Sequence, residues 1–286
     1  MRKWIGLLCI LPVFAGCDFK PYTPAEMETT QQSQVYDEEK TLNADVRFDV
    51  GTLEITRGKG TDSLYTFDLE YDKSGFEPDV QYNSDSTGEG RFSFRLPRIH
   101  KPGLQREGFS NSLRLQFNDS IPLDLKVDTE MANTRLSLSG LSVSRVVFES
   151  GVGGAKIYVY EPNPILCEFV RLKNGVGSID AIGLGNLNFR ELELEGGVGG
   201  ADLDFSGNWR QDADVRIQVG LGGVHLRIPR SLGVRLETEK HFFREDQLEG
   251  FIQKGIDYYS ENYEDAPVKV FMRVATHIGG LKITWI

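Results

Sequence analysis

The chain has 286 residues, including 31 glycines, and its 32 basic and 42 acidic residues give a formal net charge of −10. This length allows one large all-β domain or two domains of ordinary size. The acidic balance argues against a nucleic-acid partner, because binding to a nucleic-acid backbone requires clustered positive charge.

Residues 1–16 predict a lipoprotein signal peptide. Arg2 and Lys3 precede an apolar run over residues 4–14, which is too short to span a bilayer as a mature helix. The sequence Phe-Ala-Gly-Cys at 14–17 resembles a bacterial lipobox, although a lipobox usually has leucine where this chain has Phe14. The resemblance implies that Cys17 carries a lipid such as palmitate and anchors the chain, on the extracytoplasmic side, to a membrane of the bacterial cell envelope. An ordinary cleaved signal peptide and a buried N-terminal strand are the alternatives.

Residues 17–40 predict a flexible tether. They are rich in Pro, Thr, Gln and Glu and have almost no apolar periodicity, so we expect them to stay solvated.

Residues 41–128 predict irregular strands. Apolar and polar residues alternate in short segments, the period-2 pattern of half-buried strands, and turn residues separate these segments. The predicted strands lie at 44–56, 65–71, 80–83, 91–96, 113–117 and 123–128.

Residues 129–238 contain a repeated glycine phrase. It reads GVGGAKIYV at 151–159, GVGSIDAI at 175–182, GVGGADLDF at 197–205 and GLGGVHLRI at 220–228, with a weaker copy at 130–138. The third residue of the phrase recurs every 21 to 24 residues, at Ala132, Gly153, Gly177, Gly199 and Gly222. A period of this length, with a strand on each side of a glycine bend, predicts an all-β fold: a single-stack β-solenoid, or β-helix.

The repeat also predicts the register of the stacked strands. One buried column contains Val127, Phe148, Leu172, Leu194 and Ile217, and a second contains Leu136, Ile157, Ala181, Leu203 and Leu226. On the outside, opposite charges fall on successive units, as with Arg171, Glu193 and Arg216, with Glu149, Lys173 and Glu195, with Lys156 and Asp180, and with Asp204 and Arg227. Opposite charges across a strand pair favour that pairing. Asp180 beside Asp202 is the exception.

Residues 239–286 predict an irregular C-terminal unit and cap. Residues 242–263 fit either a strand pair, at 251–253 and 257–260, or a helix. We favour strands, because Gly250 and Gly255 would weaken a helix. Residues 268–274 and 279–286, which carry a distant copy of the phrase, are expected to form the last unit of the stack.

The segments over about 41–238 resemble the toast-rack domain family. The resemblance implies a β-solenoid in bacterial envelope proteins, mostly without an assigned activity and in some relatives part of envelope-stress systems. The chain departs from the family pattern at residues 129–133, where TEMAN replaces the glycines. The matching residues are Phe48, Val50, Gly51, Leu53, Ile121, Pro122, Leu123, Leu125, Leu136, Leu138, Gly140, Leu141, Gly151, Gly153 and Gly154.

Few residues suggest catalysis. The sequence contains no nucleophile elbow, phosphate loop, zinc-protease motif or paired CxxC, so we expect no enzyme activity, no resident metal and no cofactor. Asp180, Asp202, Asp204 and His225 fall on one outward face and could bind a cation, but a solvated charged face is the simpler interpretation. Cys167 is expected to be buried and unreactive.

Three functions remain open from the sequence. The first is a non-enzymatic envelope lipoprotein whose rigid solenoid acts as a protein-interaction or envelope-stress regulatory module. The second is a self-assembling envelope scaffold that stacks through its ends. The third is a polysaccharide-active β-helix protein, for which only Asp180, Asp202 and Asp204 are candidate acids. The first is our prediction, with an envelope or membrane protein as partner.

Overall fold

The protein is all-β in a computed structural model that describes residues 25–58, 60, 62–99, 110–238 and 248–286. Its strands belong to one large sheet, and a 3₁₀ helix spans Leu184–Leu187. In the first half of the chain the strands are β1 (Met27–Val35), β2 (Thr41–Arg57), β3 (Ser63–Asp72), β4 (Asp79–Ser84), β5 (Glu89–Leu96), β6 (Ser112–Phe117), β7 (Leu123–Ser137) and β8 (Val143–Val152). In the second half they are β9 (Ala155–Tyr158), β10 (Cys167–Val176), β11 (Ile179–Ile182), β12 (Phe189–Val198), β13 (Ala201–Asp204), β14 (Ala213–Leu221), β15 (Val224–Ile228), β16 (Gly233–Thr238), β17 (Phe251–Lys254), β18 (Asp257–Ser260), β19 (Lys269–Ile278) and β20 (Leu281–Trp285).

Parallel rungs form the middle of the sheet. Each rung has one stretch of strand before the glycine bend and one after it, and each stretch pairs with the same stretch of the next rung. We number them from the N-terminal side. Rungs 1 and 2 are β2 and β7, rungs 3 to 6 are β8/β9, β10/β11, β12/β13 and β14/β15, and rung 7 is β19/β20.

The buried columns follow the register predicted from the sequence. Leu172 lies between Phe148 and Leu194 before the bend, and Ala181 lies between Ile157 and Leu203 after it. These side chains are buried. Burial of this continuous apolar column is the main stabilising contribution to the stack.

The predicted charge alternation is confirmed on the outside of the same rungs. Arg171, Glu193 and Arg216 occupy successive rungs, and Arg216 contacts Glu193 directly. Arg171 reaches diagonally to Glu195, with Nη2 2.9 Å from Oε1, and Lys173 lies 3.6 Å from the other oxygen of Glu195. Because these pairs are partly exposed, they select the register more than they stabilise it.

The N-terminal end is not stacked in chain order. Strands β5 and β6 pair in parallel with the two halves of β2, and β3, β1 and β4 add to this end as antiparallel strands. The tether predicted over 17–40 is wrong in part, because Met27–Val35 forms a strand along β3. Its side chains are mostly exposed, and its pairing is made by backbone groups that leave no apolar pattern in the sequence.

The C-terminal end departs from the expected order in one respect. Strands β19 and β20 lie directly beside β14 and β15, and β16 pairs on the far side of β19. The prediction of a last unit is therefore wrong for β19, which is an inner strand, whereas β20 is the last of the described strands in the column after the bend. The reason lies in the glycine phrase, because Gly279 packs on the carbonyl of Gly222 as the other third-position glycines pack on theirs.

The region that the sequence left open between strand and helix contains strands where it is described. Phe251–Lys254 and Asp257–Ser260 form an antiparallel pair, and β18 also pairs with β16. Residues 242–247 of this region lie outside the described residues.

Candidate functional site

An exposed aliphatic ridge runs along the bends of rungs 2 to 7. It is built from the second residue of each glycine phrase, and its members are between 43% and 64% exposed. Neighbouring members are paired in register, so at roughly 4.8 Å per rung the ridge is about 24 Å long. We call this set the aliphatic ridge: Met131, Val152, Val176, Val198, Leu221 and Ile278.

The bend explains why these apolar side chains point outward. In rung 4, Asn174 is buried, but Gly175 and Val176 are both exposed, because the strict in-and-out alternation ends where the chain turns. The Nδ2 atom of Asn174 donates a hydrogen bond to the carbonyl of Gly153, at 2.9 Å. This hydrogen bond holds the bend of rung 4 against the bend of rung 3.

The backbone of the ridge is already hydrogen-bonded within the stack. The amide of Gly153 donates to the carbonyl of Val176 at 2.9 Å, and the amide of Gly177 donates to that of Val198 at 2.8 Å. The ridge therefore has a fixed backbone and offers apolar side chains to a partner. A contiguous exposed apolar surface of this kind is typical of an interaction site.

A row of mostly charged side chains follows the ridge on the strands after the bend. Its members point outward from rungs 1 to 7 and are paired in register with one another. We call this set the charged row: Glu54, Arg135, Lys156, Asp180, Asp202, His225 and Lys282. The predicted like-charge step from Asp180 to Asp202 is present.

A shallow groove adjoins the charged row. Two depressions share Ser178 and Asp180 and so form one continuous groove. It is lined by the fourth residue of each phrase, which is small in every rung from 3 to 7: Gly154, Ser178, Gly200, Gly223 and Gly280.

Three of the four residues considered for a cation, Asp202, Asp204 and His225, are linked by direct contacts that include Arg227. Asp202 lies 3.3 Å from His225 Nδ1 and 3.0 Å from Arg227 Nη1, and Arg227 Nε lies 3.2 Å from Asp204. Thus Arg227, which the sequence analysis had placed only beside Asp204, contacts both carboxylates, and the three side chains together keep a net negative charge. Within the described ranges, no group of three or more His, Cys, Asp or Glu side chains is arranged to hold a metal ion.

His225 also ties three rungs together. Its Nε2 atom lies 2.9 Å from the hydroxyl of Thr284, while its Nδ1 faces Asp202. The order hydroxyl, imidazole and carboxylate is that of a nucleophilic triad. Here, however, the carboxylate is also held by Arg227, and the groove beside it is shallow and open. We interpret the chain of contacts as a link between β13, β15 and β20.

Of the two cysteines singled out in the sequence, the structure describes Cys167 but not Cys17. Cys167 is fully buried, as expected, and burial raises the pKa of its thiol to about 12. Cys17, the predicted lipidation site, lies outside the described residues, as does the whole signal segment at 1–16. In the part of the chain that is described, no helix has the length and apolar character needed to cross a membrane.

Comparison with known families supports the resemblance drawn from the glycine phrases. The family model described as "N-terminal domain of toast_rack, DUF2154" matches residues 23–182 and 163–227. The chain belongs to this family. The matched region contains rungs 1 to 5 and most of rung 6, and therefore most of the aliphatic ridge.

Two solved structures are similar over most of this chain. A candidate cell adhesion protein from Clostridium sporogenes is 18% identical, with a TM-score of 0.48, and the match covers 91% of this chain and 100% of that one. A candidate adhesin from Bacteroides fragilis is 11% identical, with a TM-score of 0.38, over 91% of this chain and 97% of that one. No curated protein matches the sequence.

Proposed function

We propose that this toast-rack protein is a non-enzymatic lipoprotein of the bacterial cell envelope that binds another protein through its aliphatic ridge. The observation that carries the proposal is the ridge itself, where six aliphatic side chains on successive rungs are exposed on a rigid backbone. An apolar residue recurs at this position of each repeat although it is not buried. Packing of the core therefore does not explain why it is apolar.

The ridge offers enough apolar surface for specific binding. Fully burying one Val or Leu side chain contributes about 1.5–3 kcal/mol, so covering the half-exposed ridge side chains contributes on the order of 1 kcal/mol each. The backbone beneath them is held by hydrogen bonds between rungs, so binding has little ordering cost.

In the proposed fold the rungs form a single-stack β-solenoid. The support is the parallel register of both strand columns over seven rungs and the direct packing of third-position glycines on the rung before. Antiparallel strands lie at both ends of the stack, where β1 and β4 add at one end and β17 and β18 at the other. These irregular ends favour a discrete protein over a scaffold that grows end to end.

In the proposed anchoring, Cys17 is acylated after removal of residues 1–16. The support is the charged start, the short apolar run and the small residues that precede the cysteine. Mass spectrometry of the N-terminal peptide tests this directly. We expect an acylated Cys17 in the wild-type chain and loss of membrane attachment in Cys17→Ser; an unmodified N-terminus would contradict it.

In-cell photo-cross-linking tests the binding surface. The full chain would carry a photo-cross-linking residue in place of Val176, on the ridge, or of Arg190, whose side chain is 63% exposed and lies away from the ridge. We expect one discrete product from position 176 and none from position 190. Equal products from both positions, or none from the ridge, would contradict the proposal.

A further inference from the structure

We propose that the partner of the aliphatic ridge is a second copy of this chain, packed antiparallel about a two-fold axis that passes between rungs 3 and 4. This inference rests on the proposed function and names the occupant of the same surface. In this arrangement the ridge residues of rungs 2 to 5 lie along the same rungs of the second copy, and the charged row lies along the other charged row. Leu221, on rung 6, faces Val50 of the second copy, on rung 1, and Ile278, on rung 7, has no member of the ridge opposite it.

The first argument is spacing. Ridge side chains recur once per rung, at roughly 4.8 Å. A second copy has the same spacing, so its rungs stay in step with these over all the rungs that overlap. A partner helix presents side chains once per turn, on average about 5.4 Å apart along its axis, so over five rungs its side chains would drift by about 3 Å against the ridge.

The second argument is charge. From rung 2 to rung 5 the charged row reads positive, positive, negative, negative, at Arg135, Lys156, Asp180 and Asp202. A two-fold rotation about an axis between rungs 3 and 4 sets each positive side chain of this order against a negative side chain of the second copy. Lys156 then faces Asp180 of the second copy and Arg135 faces Asp202 of the second copy, and symmetry forms each pair twice. Further out, Glu54 faces His225 of the second copy, and at the edge of the contact Arg114 of β6, which lies beside Glu54, faces Lys282 of the second copy, the one like-charge pair of this alignment.

A parallel arrangement, and antiparallel axes moved by up to one rung, bring like charges together. A parallel arrangement sets every charged side chain against itself. An antiparallel axis moved by half a rung sets either Lys156 or Asp180 against its own copy at the centre. An axis moved by a whole rung sets Arg135 against Lys156, or Asp180 against Asp202. An axis between rungs 5 and 6 also avoids like charges, since it sets Asp202 against His225 and Asp180 against Lys282, but it brings only four rungs of the row together, whereas the axis between rungs 3 and 4 brings six. The charges therefore favour the axis between rungs 3 and 4, since like charges in contact oppose association.

The third argument is the location of the apolar side chains that lie beside the charged row. Tyr158 and Ile182 are half-buried neighbours on rungs 3 and 4, and Tyr160, which is exposed, stacks on Tyr158 with 5.7 Å between ring centroids. The same axis places Tyr158 opposite Ile182 of the second copy. Apolar surface is therefore widest at the two rungs that the charge pattern puts at the centre, as expected for a self-complementary interface.

Cysteine cross-linking in membranes tests the arrangement with the full chain. The axis sets Met131, on rung 2, opposite Val198, on rung 5, of the second copy. Within one chain these positions are three rungs apart, roughly 14 Å, which exceeds the reach of a disulfide. We expect the double variant Met131→Cys/Val198→Cys to shift to the mass of a dimer on mild oxidation. Met131→Cys alone, Val198→Cys alone and the wild-type chain, the control for Cys17 and Cys167, should stay monomeric.

Two results would overturn the inference. Cross-linking of either single variant would indicate a parallel or random contact, and the absence of cross-linking in the double variant would exclude the proposed dimer. The photo-cross-linking experiment separates this failure from that of the proposed function. A ridge product with a different protein would leave the binding surface in place and reject the second copy, whereas no ridge product would reject both.

Discussion

Gly177 packs directly on the backbone of Gly153 in the preceding rung, so that a Cβ atom on Gly177 would lie 1.9 Å from the Gly153 carbonyl oxygen. The φ of Gly177 is also +136°, a value that residues with a side chain rarely adopt. The contact recurs between the other third-position residues of rungs 2 to 7. The glycine of the phrase is thus a requirement of rung packing, and this is why the phrase repeats.

Replacing Gly177 by alanine should strongly destabilise the protein. The added methyl group meets a backbone carbonyl that cannot move without shifting a rung, and the backbone conformation adds strain, so we expect a loss of about 3 kcal/mol or more in the free energy of unfolding. Gly280 is the matched control, because a Cβ there meets nothing within 4 Å. Urea denaturation should show Gly280→Ala within about 0.5 kcal/mol of wild type. Equal losses in both variants would contradict the packing account.

Leu194→Asp should destabilise the stack far more than Glu193→Gln, although the two positions are adjacent. Leu194 is buried between Leu172 and Ile217, and an uncompensated carboxylate there should cost on the order of 4 kcal/mol. Glu193 faces outward and contacts Arg216, so losing its charge should cost less than about 1 kcal/mol. Thermal unfolding of the two variants checks the register, and similar melting temperatures would show that it is wrong.

The contribution of Glu195 to stability should disappear in acid. The hydrogen bond from the Arg171 guanidinium holds the pKa of Glu195 below its ordinary value, against the opposing effect of partial burial. Because the folded-state pKa is the lower one, this stabilisation is complete above the unfolded pKa of about 4.3 and is lost as pH falls through the folded pKa.

Urea denaturation of wild type and Glu195→Gln at neutral and acid pH measures this effect. The two side chains of the pair are 34% and 40% exposed, so we expect wild type to be more stable by only about 0.5 kcal/mol at neutral pH. The difference should vanish in acid. A difference that persists when Glu195 is protonated would assign the effect to packing and not to charge.

Cys167 should react with thiol reagents only when the protein unfolds. Burial raises the pKa of its thiol to about 12, so at pH 8 its thiolate fraction is on the order of 10³-fold below that of a free cysteine with a pKa of about 8.5. Alkylation with and without urea, read by mass spectrometry of the peptide that contains Cys167, checks this. Rapid alkylation of the folded protein would contradict this prediction, because it would show that the first residues of β10 unfold locally and expose Cys167.

The repeat made much of the fold predictable. Alternation around Leu172 and Leu194 gave the buried columns, and the opposite charges of Arg171 and Glu193 supported the same register. The order of strands at the two ends was not predictable, because β5/β6 and β19/β20 enter the stack outside chain order and no constant period reports that. Strand β1 was missed because its exposed polar side chains resemble those of a solvated tether.

The aliphatic ridge was also missed, although its residues stand in every copy of the phrase. Continuing the alternation from Leu172 would place Val176 inside, and only the turn at the bend exposes it. The available signal was an aliphatic residue between two glycines in each regular unit, at a position where no buried column had been assigned. The like-charge step from Asp180 to Asp202 was noticed but remained unexplained. In the proposed dimer these two carboxylates face Lys156 and Arg135 of the second copy.

The most direct test of the binding surface is to place charge on the ridge without touching the core. The full chain would carry a photo-cross-linking residue at Leu221, with or without Val176→Lys/Val198→Glu, whose opposite charges suit paired strands, and both forms would be compared by melting temperature and by cross-linking in membranes. We predict an unchanged melting temperature and loss of the cross-linked product in the charged form, because the ridge is exposed and is used for binding. A product that persists, or a melting temperature that falls as it does for Leu194→Asp, would contradict the account.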